Sequence, residues 1–210
     1  MRLVIIVPAF NEAKTIQKII LDCLAYGDVI VVNDNSNDET QKIAERYATL
    51  VINHKKNLGY DCAIETGILE AISKNYDYVL TIDADGEHST NKIDEIKKLC
   101  ERGYDLIIGN RSTKNRFIEI IYAYYAKLFW NINDPMCGMK IYNIDMLKRI
   151  KPLNSYNSIG TEIMFRFIKS GARYISFDIQ VSKRVGKSRM GASLKVNLII
   201  LKSIFRSFFI

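Results

Sequence analysis

Through about residue 110 the chain alternates between short apolar runs and longer amphipathic stretches, and no other feature limits the fold as much. Leu3–Val7, Val29–Val32, Leu50–Ile52, Tyr78–Ile82 and Leu106–Ile108 are short and rich in β-branched residues, as strands covered on both faces are. Between them Ile16, Ile19, Ile20, Cys23 and Leu24 recur at helical spacing. So do Ile64, Gly67, Ile68, Ala71 and Ile72, then Ile93, Ile96 and Cys100. The pattern predicts an α/β fold: a mostly parallel, Rossmann-like sheet with helices on both faces. At 210 residues the chain makes one domain that can bury a core without disulfides.

Beyond residue 110 the alternation fails. Phe117–Trp130 predicts a helix that is apolar almost all round, so it either packs in the core or lies at a membrane interface. A loop over Asn131–Gly138 leads to a strand near Met139–Tyr142, helices near Ile144–Ile150 and Gly160–Ser170, and a strand at Tyr174–Ile179. A basic loop follows, then a terminal helix with Leu194, Leu198, Leu201, Phe205 and Phe208 in one stripe. That stripe suits a bilayer surface, docking on the protein body, or a membrane-anchoring partner protein.

Composition narrows the function. Cys23, Cys62, Cys100 and Cys137 lie far apart without zinc-type spacing, which reads as the reduced thiols of a cytoplasmic protein. Only His54 and His88 are present, which excludes a histidine-rich metal site. The net charge of +7 calls for anionic partners: nucleic acid, phosphorylated substrate or an acidic membrane surface. Leu3–Val7 is too short for a signal peptide and ends at Pro8. No run reaches the roughly eighteen apolar residues of a membrane span. A peripheral place on the cytoplasmic face of a membrane follows.

In open parallel sheets ligands bind beyond the carboxyl ends of the strands, and there the polar residues fall. Asp83-Ala84-Asp85-Gly86-Glu87-His88 follows the apolar run Tyr78–Ile82, with Gly86 permitting a sharp turn. Its carboxylates suit a hard divalent cation, Mg²⁺ or Mn²⁺, bridging a diphosphate; alternatively they form an acidic turn facing water. Asp34, in Asn33-Asp34-Asn35-Ser36, can accept from a nucleobase, while Asp38 caps the next helix. Glu12 is either helix N-terminal charge or a ligand contact. Arg111 ends the fifth run in a position to pair with phosphate. Arg184, Lys187, Ser188 and Arg189, interleaved with Gly186 and Gly191, form a phosphate clamp or a solvated basic loop.

Taken in order, these segments resemble the family 2 glycosyltransferases of GT-A fold, closest to the dolichol-phosphate mannose synthases and their polyprenyl-phosphate relatives. The likeness covers roughly residues 2 to 195. It rests on Pro8-Ala9-Phe10-Asn11-Glu12, Asp34, Asn57-Leu58-Gly59, Asp83–His88, Gly109-Asn110-Arg111 and Arg184-x-x-Gly186-x-Ser188-Arg189. The resemblance implies that Pro8, Phe10, Glu12, Val32 and Asp34 hold the nucleoside, and that Asp83, Ala84 and Asp85 contact nucleotide and metal. Asp85 and Glu87 would ligate the ion, with Asp83 a possible third. Arg111, Arg184, Lys187, Ser188 and Arg189 would meet donor diphosphate or acceptor phosphate, and Asp85, Arg111 and Arg184 would serve catalysis.

The division implied is a nucleotide-sugar-binding half over 1–112, an acceptor-binding half over 113–192 and an amphipathic helix over 193–210. Glu87 stands where the family usually has Gln, and Asn33-Asp34-Asn35 where it usually has Asp-Asp-Gly. Asp134–Lys140 looks more like the glucose-transferring relatives. The donor expected first is GDP-mannose, then UDP-glucose.

A lipid phosphate acceptor is already anionic and attacks without a base. A sugar hydroxyl would require one, with Glu162 and Asp134 the candidates. A sugar-phosphate nucleotidyltransferase would show a Gly-rich basic signature near the N-terminus, which Pro8–Glu12 lacks. A nucleotide-sugar-binding module without catalysis is a further alternative. Nucleic-acid binding would require basic stripes with exposed aromatics, whereas these strand ends are acidic.

Overall fold

The computed structural model describes residues 1–112, 117–150, 153, 158–181 and 201–202. In chain order its elements are β1 (Leu3–Ala9), α1 (Ile16–Leu24), β2 (Asp28–Asn33), α2 (Thr40–Tyr47), β3 (Leu50–Asn53), α3 (Tyr60–Ser73) and β4 (Tyr78–Thr81). These are followed by α4 (Ile93–Glu101), β5 (Leu106–Arg111), α5 (Phe117–Trp130), β6 (Lys140–Asn143), α6 (Ile144–Arg149), α7 (Ile159–Lys169) and β7 (Tyr174–Ile179).

The five apolar runs of the front half all become strands, because each is flanked by a helix long enough to bring the next strand back parallel. The seven strands lie in the order β3-β2-β1-β4-β6-β5-β7. β1 is buried along its whole length and pairs parallel with β2 and β4; β2 pairs parallel with β3, and β5 with β7. β6 runs antiparallel between β4 and β5. Lys140, its first residue, sits opposite both Thr81 and Ile108. β5 therefore ends and β6 begins at the same sheet edge, and a chain that does so has to run back.

Helices cover both faces. On one, Ile64 and Ile68 of α3, Tyr122 and Ala126 of α5, Leu147 of α6 and Phe165 and Phe167 of α7 pack on Val4, Ile6, Ile30 and Val32. On the other, Ile16 and Ile20 of α1, Ala44 of α2 and Ile93 and Ile96 of α4 pack on Ile5, Val7, Val29 and Leu80. Burial of each such Ile or Leu contributes about 2 kcal/mol. Gly67 lets α3 lie against β1, since a methyl group there would overlap the Ile6 side chain.

The α5 helix is both things its composition allows. Tyr122, Ala123 and Ala126 are buried, while Phe117, Tyr124 and Leu128 are 77%, 74% and 69% exposed. With Ile120, Ile121 and Phe129 they leave an uncovered apolar face. Among the described residues no helix is long and apolar enough to cross a membrane. Of the expected helix over 193–210, only Leu201 and Lys202 are described; both are helical and exposed.

Candidate active site

β1, β2 and β4 are parallel neighbours, so Glu12, Asp34 and Asp83 all emerge beyond the same sheet edge. After β1 the chain steps outward to β2 and β3, then crosses back to β4 on the other side of β1. That reversal is where an open α/β sheet forms its ligand crevice.

The loops after β1 and β2 are tied together by bonds between backbone and side chain. Asn11 N donates to Ser36 Oγ at 2.9 Å and Asn37 N donates to Asn11 Oδ1 at 2.7 Å. Glu12 N donates to Thr40 Oγ1 at 2.7 Å, and Ala13 N to Asp38 Oδ2 at 3.2 Å. Asn11 and Asn35 adopt left-handed φ values of 54° and 62°, a conformation asparagine tolerates. Asp38 was expected to cap α2; the cap position is held by Glu39 without a side-chain bond, and Asp38, one residue earlier, tightens the turn by accepting from Thr40 N and Oγ1. Burial works against its charge, but these bonds and that from Ala13 outweigh it and hold its carboxyl below the usual range. Glu12 is buried and accepts from Thr15 Oγ1.

Asp34 is 3% exposed. Its Oδ1 accepts from Leu58 N at 2.8 Å and lies 2.7 Å from His54 Nδ1, and its Oδ2 accepts from Gly59 N at 2.8 Å. The carboxylate thus organises the loop between β3 and α3. Val32 has no exposed surface and packs in the core, so it backs the site and does not line it. Pro8 and Ala84 are likewise buried, whereas Phe10 is partly exposed at the edge.

The turn after β4 carries the acids. Gly86 takes φ 77°, which glycine adopts freely, and Glu87 N donates to Asp85 Oδ1 at 2.9 Å. Three elements surround Asp83. Tyr60 Oη, at the start of α3, donates to its Oδ1 at 3.0 Å. His88 Nδ1 stands 3.7 Å from its Oδ2. Gly138 packs so closely that any Cβ there would overlap the carboxylate. Asp83, Asp85 and Glu87 offer oxygen donors alone, which suits Mg²⁺ or Mn²⁺. Among the described residues no group of three or more His, Cys, Asp or Glu forms a finished metal cage. Donors of this kind fit an ion that arrives with a diphosphate and completes its shell with phosphate oxygens and water.

The wall opposite is ionic. Arg111 Nε and Nη2 donate to the two oxygens of Asp134 at 2.7 and 3.1 Å, and Nη2 lies 3.5 Å from Glu119. Burial opposes charge on Arg111, but Asp134 and then Glu119 more than compensate, so it stays protonated. The Nε and Nη2 of Arg111, expected at phosphate, are engaged within the protein, and its backbone N also donates to Asp134 Oδ2 at 3.2 Å. Glu162 is buried and bonded to Arg166 at 2.6 Å. Lys140 is 2% exposed and donates to the Cys137 carbonyl; burial lowers its pKa. Burial alone would also lower His88, but the Cys137 sulfur and the Asp83 carboxylate lift it to about 9. Tyr60, His54, Gly138 and Lys140 carry no role in the sequence reading, although Asn57-Leu58-Gly59 marks the right loop.

After β7 the chain lies across the acidic turn. Ser89 N donates to Gln180 O at 3.1 Å, His88 bridges to Val181, and Asn110 Nδ2 donates to Asp178. The basic segment begins directly after Val181. Arg184, Lys187, Ser188 and Arg189 lie outside the described residues.

Fold and edge together define a GT-A protein, the α/β architecture of nucleotide-sugar transferases. Residues 4–168 match Glycosyl transferase family 2. An uncharacterized protein of Methanocaldococcus jannaschii is 32% identical, over 85% of this chain and 87% of its own length. The chain belongs to glycosyl transferase family 2, and the protein is a glycosyltransferase. It is similar to an undecaprenyl-phosphate mannosyltransferase of Micrococcus luteus, 26% identical over 92% of this chain and 89% of the relative. A dolichyl-phosphate β-glucosyltransferase of Trichomonas vaginalis is 27% identical over 69% of this chain and 54% of the relative. Among solved structures, glucosyl-3-phosphoglycerate synthase of Mycobacterium tuberculosis, in complex with Mn²⁺, UDP-glucose and phosphoglyceric acid, superposes with a TM-score of 0.78. It shares 16% identity and covers all of this chain and 80% of that one.

Proposed function

We propose that the protein moves a hexose from a nucleoside diphosphate donor to the phosphate of a polyprenyl lipid, with inversion at the anomeric carbon. The observation that carries this reading is the state of Asp134 and Glu162. A sugar hydroxyl must lose a proton as it attacks, and these are the two carboxylates the sequence offers to take it. Each is buried and bonded to an arginine, Asp134 to Arg111 and Glu162 to Arg166. A phosphate acceptor needs no base, since its oxygen is anionic at neutral pH. The relatives that act on undecaprenyl and dolichyl phosphate support the same acceptor class.

The acceptor oxygen forms a bond to the anomeric carbon while the bond from that carbon to the diphosphate oxygen breaks, and the nucleoside diphosphate leaves with the electron pair. The protein's part is alignment and stabilisation of the leaving charge. Asp34 and the loop after β1 fix the nucleoside end. Asp85 and Glu87, with Asp83, would hold Mg²⁺ or Mn²⁺, which supplies neutralising charge to the diphosphate. Arg184, Lys187, Ser188 and Arg189 are assigned to phosphate on their chemistry, and Arg111 buttresses the wall at Asp134.

The exposed apolar face of α5 supports a peripheral seat on a membrane, where such an acceptor lives. The experiment is a matrix of GDP-mannose, UDP-glucose and UDP-N-acetylglucosamine against polyprenyl phosphate and free sugars. Label entering the lipid fraction with polyprenyl phosphate is the expected result. Transfer to free sugars alone overturns the assignment of the acceptor.

A further inference from the structure

Resting on that reading of the β1–β2–β4 edge as a nucleotide-sugar site, we propose that the base held at Asp34 is uracil and not guanine, making the donor a uridine diphosphate sugar. A carboxylate has about four acceptor positions, two on each oxygen. On Oδ1 both are filled, by Leu58 N at 2.8 Å and His54 Nδ1 at 2.7 Å. The hydroxyl of Thr66, 3.0 Å from His54 Nε2, can donate to that nitrogen and so leaves the ring proton on Nδ1, directed at Asp34. Oδ2 takes Gly59 N at 2.8 Å. One acceptor position remains, on Oδ2.

The carboxylate cannot turn to offer more. Two of its donors are successive backbone amides, the third is a buried ring, and Asp34 itself is 3% exposed. Guanine presents two parallel donors, N1–H and the N2 amino group, which a carboxylate meets with one oxygen each. Here Oδ1 has no place for the second, so guanine leaves one donor unpaired or displaces the Leu58–Gly59 segment. Uracil presents a single donor, N3–H, between two carbonyls. Adenine and cytosine put an acceptor nitrogen on the same edge, which a carboxylate repels. An unpaired donor at a buried site weakens binding roughly tenfold or more.

Titration calorimetry of the full chain with uridine, guanosine and inosine diphosphates, each with Mn²⁺, tests this. Inosine differs from guanosine only in lacking the amino group, so it separates the donor count from purine size. The expected order is uridine diphosphate at least about tenfold tighter than guanosine diphosphate, with inosine diphosphate also tighter than guanosine diphosphate. Guanosine diphosphate binding as tightly as uridine diphosphate, or more tightly than inosine diphosphate, overturns the proposal while leaving the transferase reading standing. Failure of all three to bind removes the nucleotide site and both readings with it.

Discussion

The two halves of the sheet build their shared edge with different forces. Between β1 and α3 the loops are held by many short bonds from backbone amides to side-chain oxygens, Asn11 to Ser36, Glu12 to Thr40, and Leu58 and Gly59 to Asp34. Between β5 and β7 the loops are held by a few buried ions, Arg111 with Asp134 and Glu119, and Lys140 on the Cys137 carbonyl. Each bond of the first kind to a hydroxyl contributes about 1 kcal/mol and can be lost alone, while those to the Asp34 carboxylate contribute about 1.5–3 kcal/mol. An ion of the second kind, stripped of its partner, leaves a charge stranded in the interior. The loops between β1 and α3 are therefore tunable, and the opposite wall is close to all-or-none.

The largest break expected in that comparison is in stability. Arg111→Ala removes the cation that pairs with buried Asp134 and should cost roughly 3–5 kcal/mol in urea unfolding, whereas Ser36→Ala should cost about 1 kcal/mol. Equal losses would erase the distinction between the halves. Next comes Gly138→Ala, which reaches from the ionic wall into the acidic turn. Its Cβ must push Asp83 aside, and a displacement on the order of 1 Å should lower turnover roughly a hundredfold with the far-ultraviolet circular dichroism unchanged. Turnover within twofold of the native enzyme would show that Asp83 needs no such seat. The smallest effect concerns the face that belongs to neither set of bonds. Leu128→Asp on α5 should weaken flotation with anionic liposomes by about tenfold and leave folding intact, because the side chain is 69% exposed. Unaltered flotation would mean that the α5 face meets something other than lipid.

How much of this was legible in the sequence follows the same divide. The front half was readable because period and length agree: Leu3–Val7 and its counterparts are short and apolar enough to read as strands, and all five sit where expected, although β3, at the sheet's edge, is only partly covered. The sharp turn at Gly86 was readable from residue type, as was a role for Asp38 in the turn before α2, though the cap itself falls on Glu39. The direction of β6 was not, since a four-residue strand beginning with Lys140 gives no hint that its lysine is buried or that its neighbours run the other way. Arg111 was placed correctly at a strand end, but its partner Asp134 lies 23 residues on, beyond any local pattern. His54 and Tyr60 were missed for a related reason. A single histidine or tyrosine carries no periodic signal, and their importance comes from Asp34 and Asp83, which the fold brings to them from other strands.

If the Asp83–Glu87 turn grips a cation that in turn grips a nucleoside diphosphate, nucleotide affinity with and without Mn²⁺, measured by calorimetry on the native protein and on Asp85→Asn, shows it most directly. Mn²⁺ should tighten nucleoside diphosphate binding by about tenfold or more in the native protein and by less than twofold in the variant, with the metal-free affinity alike in both. The same gain from Mn²⁺ in Asp85→Asn would contradict it, because the ion would then be held without the turn.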